Sequence, residues 1–145
     1  EVFVKTAGEI DFDRVREDEV RRAKRWIATL PDGVFQDTIQ IMNDLEAWSG
    51  YFMNGIADEE KAFGPLAPPF CSFVVQQYAI FIALREQQNA GNYPNTIGLF
   101  KAWRQRLDTQ ERGATMAELL ERVKELKEGQ VVSHVVPKPI GTDIA

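Results

Sequence analysis

The sequence predicts an all-α protein: about five helices in one compact bundle, followed by an extended or disordered C-terminal tail. Three observations predict it. Apolar residues recur at helical spacing, most clearly at Ile41, Leu45, Trp48 and Phe52, which follow i, i+4, i+7 and i+11. The most apolar segment, Phe70–Gln88, runs without a breaker for longer than a strand does. Prolines and glycines gather between the periodic segments, at Pro31-Asp32-Gly33, Gly64–Pro69 and Gly91–Pro94.

The first helix starts at Asp11 or Asp13, because aspartate is a good N-cap and Glu17, Asp18 and Glu19 suit the positive end of the dipole. Val20, Ala23, Ile27 and Leu30 form its inner face, with Trp26 on the flank, and Pro31-Asp32-Gly33 ends it. A second helix runs from Phe35 or Gln36 to Asn54. Ile39, Met42 and Met53 widen its Ile41–Phe52 stripe, so burial over much of its circumference is expected. Gly55 is its C′ residue. A short turn over Asp58–Phe63 leads into Gly64–Pro69, where three prolines predict a rigid non-helical connector. Phe70–Gln88 is the central helix, and Asn89–Asn95 is a loop.

A fourth helix, capped by Asn95 or Thr96, turns Ile97, Phe100, Trp103 and Leu107 inward. Asp108–Ala114 is a polar connector. Thr115-Met-Ala-Glu118 has the pattern of a capping box opening a fifth helix, whose apolar face is Met116, Leu119, Leu120, Val123 and Leu126 and which ends at Gly129. The expected organisation is a single helical domain over 1–129 and a tail over 130–145.

At 145 residues and a net charge of −5, the chain is one domain's worth of protein and poor material for non-specific nucleic-acid binding. It has no run of 18 apolar residues, and its lone cysteine, Cys71, cannot form an internal disulfide. It begins at Glu1 rather than Met, so an upstream signal peptide or membrane anchor is compatible with it. Localisation is open, with a cytoplasmic or membrane-associated setting favoured.

No Gly-rich phosphate loop, His-Glu-x-x-His, Cys-x-x-Cys or Gly-x-Ser-x-Gly motif occurs. No catalytic residue, metal or cofactor is therefore assigned. His134 falls in the tail, and Cys71 reads as a buried hydrophobe rather than a reactive thiol.

Three constellations remain. Between Val34 and Gly64 six carboxylates face one base, Lys61, and Asp44, Glu46 and Asp58 are the candidates for a cation or catalytic cluster. Arg14, Arg21 and Arg25, at i, i+7 and i+11, form a candidate basic patch for nucleic acid. Ion pairs from Glu17 to Arg21 and from Asp18 to Arg22 make a solvated face the better reading. Asn43 and Glu46 share a face of the second helix, and Glu46 lies beside apolar neighbours. Arg85 is the only base between Lys61 and Lys101, so a structural Glu46–Arg85 pair is expected.

The runs Ile41-Met-Asn43-Asp-Leu45-Glu46-Ala47, Gly55-Ile-Ala-Asp58-Glu59 and Ile82-Ala-Leu-Arg85 resemble an uncharacterised bacterial family of small helical domains, many of them behind an N-terminal membrane segment. The likeness covers Phe35–Leu107. It implies a helical fold and a membrane anchor upstream, and no activity. The expected function is a non-catalytic interaction or regulatory module. A protein partner is expected, with a homodimer through residues 115–136. The alternatives are a carboxylate-cluster metal protein or enzyme, and a nucleic-acid binder.

Overall fold

The computed structural model describes residues 5–87 and 92–133. Their elements are a 3-10 turn, Ala7–Glu9, and five α-helices: α1 Glu17–Ile27, α2 Val34–Met53, α3 Glu59–Gln76, α4 Tyr78–Gln87 and α5 Pro94–Ser133. No strand occurs among the described residues. The fold is all-α, as the periodicity predicts, but several boundaries fall elsewhere.

Helix α1 begins later than expected. Asp11 closes a local turn, accepting from the Asp13 amide at 2.9 Å. The start of α1 is instead secured by Glu19, whose carboxylate reaches back to the Arg16 amide at 2.9 Å. Val20 and Ala23 are buried, and α1 packs along α4. Gly33, at φ 85°, makes the left-handed turn into α2, a conformation that favours glycine.

The Gly64–Pro69 connector is not a connector: α3 runs through all three of its prolines. Asp58 caps this helix, accepting from the Lys61 amide. Pro65, Pro68 and Pro69 face solvent, while Phe63, Ala67, Phe70, Cys71 and Val74 bury one face. A proline ring already has helical φ; its cost is a lost donor and a crowded carbonyl. Five buried side chains on one face outweigh that cost. Cys71 accordingly sits in mid-helix, buried.

The long apolar segment is broken. α3 and α4 meet at Gln77 with a bend of 62°, without a proline or glycine at the break. Gln77 ends one helix by donating to the Phe73 carbonyl at 2.9 Å, and its own carbonyl accepts from Ile80 and Phe81. Tyr78–Leu84 is buried at every position, and these residues form the centre of the core. No single helix among the described residues is long and apolar enough to cross a membrane.

The expected fourth and fifth helices are one. Asp108–Ala114 is helical, and Thr115 is no cap: its hydroxyl donates back to the Glu111 carbonyl at 2.9 Å inside the helix. One glycine, Gly113, costs about 1 kcal/mol, too little to stop a run otherwise rich in good helix formers. The helix also continues through Gly129 to Ser133; the rest of the expected tail, with His134, lies outside the described residues.

The chain divides into two compact units, Glu1–Leu107 and Asp108–Ala145. In the first, Trp103 is fully buried, with the rings of Phe52, Phe70, Phe63 and Trp48 at 5.3, 5.3, 5.9 and 6.0 Å. Phe12, from the segment before α1, inserts among Tyr78, Phe100 and Phe81 at 5.3, 5.8 and 6.0 Å. In the second unit the described residues are helix alone.

Candidate functional site

The densest polar arrangement joins α2 to the start of α5. Tyr93 precedes α5 with φ 58°, and it is the one non-glycine residue at positive φ among the described residues. Pro94 takes the first helical position, where its missing N–H is no loss. The next two amides need acceptors. Tyr93 has no side chain that can cap them, and Glu46 of α2 does so instead. Its Oε1 accepts from the Asn95 amide at 2.9 Å, and its Oε2 accepts from the Thr96 amide at 2.8 Å and the Thr96 hydroxyl at 2.7 Å. A carboxylate at the positive end of a helix dipole is favourable on both counts.

One turn earlier on the same face, Asn43 accepts from the Tyr93 hydroxyl at 2.8 Å. Burial pushes the Tyr93 phenol above its ordinary pKa, and the nearby Glu46 charge adds to the shift. Gly50 and Met53 continue this face. A Cβ on Gly50 would stand 3.4 Å from the Asn95 side-chain amide, and one on Gly98 would stand 2.8 Å from the Met53 methyl. Small residues thus let α2 and the first turns of α5 close on each other. Ser49 is buried beside this face, its hydroxyl without a hydrogen-bond partner among the described residues.

Glu46 and Arg85 therefore have separate partners and do not form the expected pair. Arg85 Nη1 donates to the Phe12 carbonyl at 3.1 Å, with the guanidinium 5.9 Å from the Phe12 ring centre. A single base in the right stretch of sequence suggested an ion pair. What satisfies Glu46 instead is backbone, which carries no sequence signal.

The carboxylates Asp44, Glu46 and Asp58 do not converge. Asp44 is exposed and accepts from Gln40 at 3.3 Å, while Asp58 caps α3 and pairs with Lys61 at 3.5 Å. No group of three or more metal-ligating side chains lies together among the described residues. The arginine patch is also divided. Arg14 lies before α1 and is 3.9 Å from Asp11, leaving Arg21 and Arg25 on the helix, in a shallow surface they share with Asp18, Arg22 and Lys24.

Two polar anchors escaped the sequence reading. Glu59 Oε1 accepts from the Trp103 indole at 2.9 Å and lies 3.4 Å from Arg106, whose guanidinium stacks 3.8 Å from the Phe63 ring centre. Glu19, almost fully buried, pairs with Lys5. Lys101 pairs with Asp13 at 2.8 Å and holds its carboxyl below the ordinary aspartate value.

Among the described residues, two groupings of exposed apolar side chains stand out. An open groove of about 260 Å³ runs between α2 and α3, lined by Ile41, Leu45, Trp48, Leu66, Pro69, Phe70 and Phe73 with no polar lining. Ile41, Leu45 and Trp48 belong to the stripe expected in the core. Leu45, Trp48 and Phe52 do pack against the core, partly buried, whereas Ile41 is 52% exposed and the neighbouring Met42 is fully buried. The second feature is the face of α5 carrying Met116, Leu119, Leu120, Val123 and Leu126, which are 47–67% exposed.

No protein-family model matches the chain, and the comparisons with curated proteins and with solved structures return no match.

Proposed function

We propose that this chain is a non-catalytic association module, whose contact element is the α5 face over residues 116–126 and whose partner is a second copy of the chain. The observation that carries this reading is the exposure of five large apolar side chains on one helical face. Each is worth about 1.5–3 kcal/mol when fully buried, so an uncovered set is stabilisation that association recovers. Surfaces of this kind, contiguous and bordered by charge, mark interaction sites. The polar cluster around Glu46 supports the reading, since both carboxylate oxygens are occupied in capping α5. Sedimentation velocity of the full chain tests the association. A mass that rises above 16.5 kDa with concentration is expected; a single monomeric species up to high micromolar concentration overturns it.

A further inference from the structure

We infer that the α5 face of one copy docks in the α2–α3 groove of a second copy. This docking rests on the association reading above and adds where the helix lands. Apolar anchors at spacings of three and four suit a helix-in-groove contact. Met116, Leu119, Val123 and Leu126 have that spacing, and the groove offers Ile41, Leu45 and Trp48 on one wall and Leu66, Phe70 and Phe73 on the other.

Charge selects this occupant. Between Met116 and Glu128 of α5, Glu118, Glu121, Glu125 and Glu128 project away from the apolar face, while Arg122, Lys124 and Lys127 fall within it or along its edges. The docking face is therefore apolar with a basic border. The groove's border has the opposite sign: exposed Asp37 and Asp44 flank Ile41 and Leu45, and α2 carries no lysine or arginine. Two α5 faces packed on each other would oppose basic borders, whereas a face packed in the groove opposes basic to acidic. A second copy supplies both halves of the contact.

The test uses the full chain, with Ile41→Lys in the groove and Val123→Glu on the helix. Both positions are about half exposed (52% and 47%), and far-UV circular dichroism checks that each variant folds. Leu66→Lys, on the other groove wall, is the second groove variant. By sedimentation velocity the wild type is expected to be a dimer and all three variants monomers. Equimolar Ile41→Lys and Val123→Glu should recover a heterodimer, because the intact helix of one fits the intact groove of the other. If the groove variants dimerise like the wild type while Val123→Glu does not, α5 pairs with α5: the docking fails and the association reading stands. Failure of the mixture to recover a dimer also overturns the docking. A monomeric wild type, or a dimer that survives Val123→Glu, overturns both.

Discussion

Glu46 is a side chain whose role follows from what its oxygens face. Glu46→Gln replaces an acceptor with a donor against the α5 amides and removes the charge from the helix terminus. A loss of about 1–3 kcal/mol is expected in urea unfolding. Arg85→Met breaks a contact to the Phe12 carbonyl, which Glu46 does not share. The double variant should therefore be additive within about 0.5 kcal/mol, where an ion pair would give strong coupling. Tyr93 makes the α2–α5 junction sensitive to alkali. Its folded pKa is raised above 10.0, so the fold favours the neutral phenol. That stabilisation is fully present below pH 10 and is lost as pH rises through the folded pKa. Tm should fall above pH 10 in the wild type and fall less in Tyr93→Phe; equal slopes would remove Tyr93 from the account. Ser49→Ala deletes a buried hydroxyl that has no partner among the described residues. Urea unfolding should show a change between neutral and about 1 kcal/mol stabilising.

At the scale of elements, α3 shows how tertiary burial overrides a local rule. Three prolines argue for a connector, yet the apolar residues on either side of them, Phe63 and Ala67 before Pro68 and Phe70 and Val74 after it, fall on one helical face. Pro68 is exposed and gains the helix nothing by its ring. Pro68→Ala supplies a donor for the Gly64 carbonyl and should stabilise the protein by about 2 kcal/mol, the helix-interior penalty less the gain in unfolded-chain entropy. A destabilised Pro68→Ala in urea unfolding would mean that α3 is not continuous there. The same override joins the two predicted C-terminal helices into α5: a capping-box pattern at Thr115 is read as a start only when the preceding residues are not already helical.

For the whole molecule, the buried core and the residues packed against it end, among the described residues, at Leu107. A chain that stops after Leu107 should unfold cooperatively in thermal denaturation, because it keeps Trp103 and the aromatic rings around it. Loss of a cooperative transition would show that the core needs residues beyond 107. That shortened chain lacks the 116–126 face, and it should sediment as a monomer.

The sequence by itself determined the fold class, the existence of α1 and α2, the inward side of α5 at Ile97, Phe100 and Trp103, and the amphipathic face at 116–126. These follow from residue spacing, which is a local property of one segment. It also marked Asn43 and Glu46 as polar residues on one helical face in need of partners. Tertiary structure decided who those partners are, because an orphaned helix amide is invisible until the helix start is placed against α2. It decided how deeply each residue on the broad apolar side of α2 enters the core. Ile41 and Met42 are equally apolar as letters, but Met42 is fully buried and Ile41 lies half exposed on the groove. It placed the break at Gln77, where no residue of breaking type stands, since a run as apolar as Phe70–Leu84 is helical on either side of any bend that buries it more completely.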